Sequence, residues 1–446
     1  MTASRDSTAK IYGQDSTGEW ALKTIINHDS GWIKSAIFSA DDSHVITLSD
    51  KQTAKIYGQD SNGEWTEKAI IQYPAGYARS ATFSADSHHA MLISKTNTNS
   101  TVQIYGRDSN GEWTQRATIN NNSDWVAANF SPDSHNVLIT VNKGIAQIYG
   151  QNSSGDTWTK KSTPEPNQTA LLGTFNTDGS HVAITYNDRS TGIYGQDLTG
   201  EWTKKILIKN NDDTVYFHLV ETIFSNDGHF VMITCDGNKA VKICEQSSNG
   251  EWTEKATIQH QAQIHPPTFS PDSLHALTCS DNDNVQIHSR VANDEWINTA
   301  TTQYPPCILR SNTTSATFSA DSRHMLTSST SHTTITTYRW ACEKWIKSTT
   351  SVNEPIIAAT FSFDGSHMIV TTYGIVKIYR WNSTDNTWNE KAQIEHIGAC
   401  IASISADGGH VVTVDIDSGV AKIWSLSLEK NISAPLPTPS KKMKLR

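Results

Sequence analysis

Charge is sparse in this 446-residue chain: Lys, Arg, Asp and Glu together make up 18% of it, and 36 basic against 45 acidic groups leave a formal charge of −9. An acidic balance of that size argues against a general nucleic-acid binder, which concentrates positive charge. No apolar run approaches the roughly 18 residues that span a bilayer, so no membrane insertion is expected. No basic, apolar and then small-residue leader opens the chain, and a cytoplasmic location is expected. The six cysteines (Cys235, Cys244, Cys279, Cys307, Cys342, Cys400) include no C-x-x-C pair, so a zinc or dithiol site has no support. Free, mostly buried thiols in a reducing compartment are expected. A G-x-S-x-G elbow and a phosphate-cradling G-x-x-x-x-G-K-[ST] loop are also missing, and no segment carries a helical period.

What is present is repetition. A motif F-[SN]-x-D has its aromatic residue at Phe38, Phe83, Phe130, Phe175, Phe224, Phe269, Phe318 and Phe361, with Ile404 as a ninth copy. The steps between anchors are 45, 47, 45, 49, 45, 49, 43 and 43 residues. An Ile-Tyr pair, or a variant of it, recurs at Tyr12, Tyr57, Tyr105, Tyr149, Tyr194, Cys244, His288, Tyr338, Tyr379 and Trp424. A tryptophan recurs at Trp20, Trp65, Trp113, Trp158, Trp202, Trp252, Trp296, Trp345 and Trp388, so 9 of the 14 tryptophans are one repeat position.

Each unit reads as four strands. In residues 20–58, Trp20 to Ile26, Trp32 to Ser39, His44 to Leu48 and Thr53 to Tyr57 are strands, with turns at Asp41-Asp42-Ser43 and Asp50-Lys51. Asp favours such turns because its carboxylate bonds its own backbone two residues on. Y-G-Q-D-S-x-G-E-W lies between units, and its Asn62-Gly63, Asn110-Gly111 and Asn249-Gly250 steps are strong hairpin signals. Four antiparallel strands per repeat describe a propeller blade.

These residues resemble a known family. Asp50-Lys51-Gln52-Thr53-Ala54-Lys55-Ile56-Tyr57 is similar to the D-x-x-T-[VA]-K-[LI]-W ending of a WD40 repeat, with Tyr replacing Trp as in most repeats here. Phe130-Ser131-Pro132-Asp133 and Phe361-Ser362-Phe363-Asp364-Gly365 are similar to its F-S-P-D-G turn. The resemblance covers about residues 1–425 and is to bacterial-type, multi-repeat members. It implies an all-β fold: one closed β-propeller of about nine four-stranded blades, with eight to ten allowed, over residues 1–428. The N-terminal outer strand would close the ring on the last blade. Opening inside a repeat suggests that Met1 begins a fragment of a longer array.

The family's buried histidine falls eight residues after each repeat tryptophan. It is present at His28, His260 and His396, but the position holds Tyr73, Asn121, Pro166, Asn210, Tyr304 and Asn353 elsewhere. The middle blades are therefore expected to hold mainly by apolar packing.

Most chemistry-bearing residues belong to the repeat. His44, His89, His135, His181, His229, His275, His324, His367 and His410 stand within a residue of one position. One per blade, they read as turn-closing polar residues and not as ligands. Asp15-Ser16-Thr17-Gly18-Glu19-Trp20 approaches the sialidase box S-x-D-x-G-x-x-W, but its spacing differs and it lies between units. No catalytic residue, cofactor or metal site is assigned.

Non-repeating loops remain, where each outer strand leads into the next blade. Tyr73, Tyr77, Tyr216, Phe217, His218, His265, Tyr304 and Arg310 lie there, with the aromatic and Arg content of interface hot spots. The expectation is a non-catalytic scaffold that binds a partner protein or peptide on the narrow loop face. One alternative is a lectin-like propeller, which requires solvent-facing tryptophans such as Trp20 and Trp65. A sialidase-type glycosidase is another. Residues 429–446 read as a disordered tail containing prolines. Its Lys441, Lys442, Lys444 and Arg446 resemble a nuclear-import signal, a route into the nucleus or into a host cell.

Overall fold

A computed structural model describes all residues except 4–5, 15–19, 29–30, 74–75, 124, 142–143, 153–154, 156, 198, 210–220, 236–238, 282–283, 292–293, 304–313, 330–332, 396–399, 407, 416–420 and 427–446. Every regular element among the described residues is a strand. The strands form ten antiparallel sheets in sequence order, eight of four strands and a three-stranded one at each end. Ten lies within the expected eight to ten. Two compact units divide the chain, Met1–Asn210 and Asn211–Arg446. Blades 1 to 5 lie in the first unit and blades 6 to 10 in the second.

Blade 2 shows the pattern: Ile33–Phe38, His44–Ser49, Thr53–Gln59 and Trp65–Gln72 pair in that order. The second strand is buried along its whole length, here and in Asn136–Val141, Phe230–Cys235 and His275–Cys279. The first and fourth strands mix buried, half-buried and exposed residues, as elements with one wetted side do. The core lies between consecutive blades. Ile46, Leu48, Ile56 and Ile71 of blade 2 pack against Ala78, Ala81, Leu92, Tyr105 and Trp113 of blade 3.

Two expectations about the frame change. The Asp60–Trp65 loop does not separate units. It joins the third and fourth strands of one blade, because Asp60 Oδ1 accepts the amides of Asn62 and Glu64 at 2.9 Å and Gly63 takes φ 81°. Position therefore no longer argues against the sialidase likeness, although the spacing still does, and Asp60 is occupied as a turn former. Secondly, the N-terminal outer strand Trp20–Asn27 pairs with Thr8–Gln14, which pairs with Thr2–Ala3. These strands make blade 1 instead of completing the last sheet.

The Ile-Tyr motif marks a β-bulge. Opposite Ile56-Tyr57 the fourth strand holds one extra residue, and the same register shift falls at the equivalent step in blades 1 to 7 and 9. Blade 8 has Thr337 before Tyr338 and an unbroken register. Its hairpin closes through Cys342 and Glu343 at φ 51° and 60°, the double positive-φ geometry of a two-residue turn.

The F-[SN]-x-D motif builds the turn between first and second strands. Ser39 Oγ donates to Asp41 Oδ1 at 2.5 Å and accepts the His44 amide at 2.9 Å, while Asp41 Oδ1 accepts the Ser43 amide at 3.1 Å. Partial burial works against the Asp41 carboxylate, but the Ser39 and Ser43 donors outweigh it and hold its pKa below the usual range. The turn also ties blades together. The amides of Asp41, Asp86, Asp227 and Asp272 donate to Oγ of Ser87, Ser134, Ser273 and Ser322 in the following blade, at 2.9–3.1 Å. Those serines adopt φ of 59–66°. Gly179, Gly228, Gly365 and Gly408 stand at the same turn position with φ of 68–77°.

Candidate interaction surface

The repeat tryptophans are interior residues. Trp65, Trp113, Trp158, Trp202, Trp252, Trp296, Trp345 and Trp388 are at most 9% exposed, and the Trp20 side chain lies outside the described set. The lectin-like alternative needs these indoles at the surface, so it loses its platforms. Each repeat phenylalanine sits edge-on or tilted to its own blade's tryptophan, for example Phe83 to Trp113 at 5.8 Å.

The repeat histidines are also blade contacts. His44, His89, His275 and His324 meet Trp113, Trp158, Trp345 and Trp388 of the next blade at 4.9–5.5 Å. Blade 6 uses Phe230 in this role, 5.5 Å from Trp296. Asn136 begins the second strand of blade 4. His135 and His229 thus stand one residue early, exposed in the turn. More than closing turns, the buried rings fill the seam between blades. Among the described residues no group of three or more His, Cys, Asp or Glu could hold a metal.

Of the family histidines, His28 bonds Thr47 Oγ1 at 2.9 Å and Thr53 Oγ1 at 3.3 Å, and His260 bonds Thr278 Oγ1 at 2.8 Å and Ser280 Oγ at 3.1 Å. His396 lies outside the described residues. Asn121 leaves its side-chain nitrogen without a partner. Blade 8 places Val352 in the buried position beside the sequence-assigned Asn353. Cys235, Cys244, Cys279 and Cys400 are buried and Cys342 is exposed. Burial pushes Cys244 and Cys279 up to about 12. Cys307 lies outside the described set.

Three sequence-assigned partner residues are described. Tyr73 is not presented to a partner: it is 4% exposed, and its Oη donates to the Ser49 carbonyl at 2.6 Å. It replaces the family histidine with another buried donor. Tyr73→Phe should cost about 1–2 kcal/mol of stability and leave partner binding unchanged. Parallel thermal unfolding and binding measurements test this, and lost binding by a folded variant would return Tyr73 to the surface. His265 is half-buried, with Nε2 3.1 Å from Asp281 Oδ1. Tyr77 is 42% exposed. Tyr216, Phe217, His218, Tyr304 and Arg310 lie outside the described residues, as do Lys441, Lys442, Lys444 and Arg446.

Tyr77 belongs to a larger arrangement. In blades 2, 3, 5 and 9 the first strand carries a β-bulge near its start, and the inserted residues are Lys34, Arg79, Leu171 and Ile357. A bulge adds one residue and turns its side chain away from the alternating pattern. The residues just before them, Ile33, Ala78, Ala170 and Ile356, are buried. His265 takes the corresponding place in blade 7, after Ile264 bridges to Ser280. This row varies in chemistry, while the residues beneath it all stay apolar and buried.

In blades 2 to 4 the row becomes cationic and aromatic. Trp32, Tyr77 and Trp125 immediately precede the buried Ile33, Ala78 and Val126. Lys34 Nζ of blade 2 lies 5.0 Å from the centre of the Tyr77 ring in blade 3. The Arg79 guanidinium of blade 3 lies 4.7 Å from the Trp125 ring in blade 4. Lys95 adds a second ammonium, 5.3 Å from the Tyr77 ring. Trp32, at 50% exposure, opens the row. Its amide donates to Asp50 Oδ1 at 2.8 Å. Reading the sequence loop by loop finds Tyr77 and misses Trp32, Lys34, Arg79 and Trp125. Stacking the repeats on their phenylalanines would have shown Lys34 and Arg79, four residues before Phe38 and Phe83, since they are the only charged residues within the described bounds of the nine first strands.

No protein-family model matches the chain, and no curated protein matches it. Among solved structures, it is similar to a functionally unknown protein from Desulfotomaculum acetoxidans DSM 771, at 14% identity over 68% of this chain and 96% of that one, with a TM-score of 0.39. It is also similar to the C-terminal WD40 domain of Sif2, at 13% identity over 85% of this chain and 92% of that one, with a TM-score of 0.44. Neither likeness carries an argument about function. The strand order and the repeat turns make the sheets WD40-like propeller blades.

Proposed function

We propose that the chain is a non-catalytic platform that holds a protein or peptide partner on the first-strand loops of blades 2 to 4. The observation that supports this is the variable row itself. The repeat spends its Phe, Trp, Tyr and His residues between blades, and its first-strand bulges in blades 2, 3, 5 and 9 turn non-repeating side chains away from the repeat pattern. Aromatic and Arg side chains held rigidly by a scaffold have the composition of interface hot spots. The cation–π contacts fix the long Lys34 and Arg79 side chains before any partner arrives, which reduces the ordering cost of binding. No catalytic group is assigned, because the acids of the repeat are occupied as turn formers.

Selection of peptides from a random display library on the folded protein tests the proposal. Tyr77→Ala and Trp125→Ala should each abolish enrichment of the selected peptides, while Tyr73→Phe should not. Peptides indifferent to both aromatic substitutions would move the partner site elsewhere.

A further inference from the structure

We propose that the Lys34–Tyr77–Arg79–Trp125 row takes an acidic peptide segment. This rests on the reading above and names the partner's chemistry. Charge complementarity carries it. Within their described bounds the nine first strands hold two charged residues, both cationic and in consecutive blades, while Glu221 stands just outside that of blade 6. Lys34, Arg79 and Lys95 make no ion pair with a carboxylate of a described residue. Asp50 spends one oxygen on the Trp32 amide, and the other acids of these loops, Asp29 and Asp124, lie outside the described residues. The rings balance the cations only partly, since a ring quadrupole is a weak counter-charge. Lys34, Arg79 and Lys95 therefore keep N–H donors for carboxylate oxygens, and Arg79 can hold one in bidentate fashion.

Geometry sets the spacing. Tyr77 and Arg79 lie two residues apart on one strand, and Lys34 reaches across from the preceding blade to the Tyr77 ring. Carboxylates two or three residues apart on an extended segment, roughly 7–10 Å at about 3.3 Å per residue, match that separation. Trp32 lies beside the row, where an apolar side chain of the segment would pack. Single-stranded nucleic acid fits less well. Bases need open ring faces, whereas Tyr77 has two ammonium groups within 5.3 Å and Trp125 a guanidinium at 4.7 Å. The net charge of −9 also disfavours a polyanion longer than the patch.

The test uses the full chain and two random peptide libraries, one permitting Asp and Glu and one replacing them with Asn and Gln, with oligodeoxythymidylate as a third probe. Enrichment should occur in the acidic library alone, for sequences with acid pairs two or three residues apart. Selected peptides should bind at least tenfold more weakly to the doubly substituted Lys34→Glu, Arg79→Glu protein, and more weakly in higher salt. Thermal unfolding of that variant, together with a milder Lys34→Gln, Arg79→Gln variant, confirms that the fold survives. Acidic peptides indifferent to the charge reversal overturn the proposal. Oligodeoxythymidylate binding that depends on both cations overturns it in favour of nucleic acid. Neutral peptides that depend on Tyr77 but not on Lys34 or Arg79 overturn the acidic preference and leave the platform reading standing. If no peptide depends on the row, both readings fall.

Discussion

Trp158→Ala should destabilise the first unit by about 3–5 kcal/mol, the range for deleting a buried aromatic side chain, whereas Trp158→Phe should cost about 1–2 kcal/mol. Trp158 packs against Phe130 at 5.8 Å and His89 at 5.5 Å, in the cluster that joins blades 3 and 4. Its indole Nε1 is buried without a hydrogen-bond partner, so a phenyl ring forfeits volume but no polar interaction. The same holds for Nε1 of Trp113, Trp202, Trp296, Trp345 and Trp388. Thermal unfolding of both variants, with amide exchange resolved by blade, provides the measurement. A Phe variant as unstable as the Ala variant would mean that Nε1 does work the structure does not show.

Acid should weaken the fold well before the carboxylates titrate. Burial pushes His44, His260 and His288 down to about 4, helped by the Arg107 charge at His44 and by His260 at His288. Burial also lowers His89, His275, His324 and His367. An unfolded imidazole titrates near 6.5. Between 6.5 and about 4 the unfolded chain therefore binds more protons than the folded one, and stability falls with pH. A ring held at about 4 contributes at most about 3 kcal/mol to that loss, at about 1.4 kcal/mol per unit. Several such rings together rival the whole stability of a domain. Above 6.5 the rings are neutral in both states and the effect disappears. Near and below the ordinary carboxylate range the decline continues by another route. Asp41, Asp86, Asp178 and Asp364 are held low by hydrogen bonds that outweigh burial, and the stability they contribute is lost as they protonate.

His324 isolates the histidine effect, because neither ring nitrogen has a hydrogen-bond partner and blade 6 already places Phe230 in the equivalent seam. His324→Phe should flatten the loss between pH 7 and pH 5, read from denaturant midpoints across the pH series, because burial lowers the His324 pKa and phenylalanine takes up no proton. A wild type equally stable at both ends, or a variant with the wild-type slope, would contradict this.

Much of the fold was legible because the repeat writes one unit many times. The strands read at His44 and Thr53 begin where the structure begins them, and Asp41 is the turn former that its type and place suggested. Two things were hidden. Sequence order alone does not say which successive strands share a sheet, so the loop before each tryptophan was taken as a boundary when it is an internal hairpin. Bulges were hidden as well, since one inserted residue breaks the two-residue alternation that identifies a strand. Lys34 and Arg79 are such residues. Tyr73 misled for another reason: an aromatic group beside a proline suits a loop surface, and only its hydroxyl contact with Ser49 shows that it points inward.

The serine ties between turns give each unit a grain. Every one runs from an aspartate amide to the blade that follows: blades 2 to 3 and 3 to 4 in one unit, blades 6 to 7 and 7 to 8 in the other. Where glycine replaces the serine, at Gly179, Gly365 and Gly408, the hydroxyl acceptor is gone. At the last seam the Asp364 amide turns instead to the Ala406 carbonyl, at 3.2 Å, so under a pulling force the seams of blades 4 to 5 and 8 to 9 should part before the serine-tied ones that hold Trp32, Tyr77 and Trp125 in place.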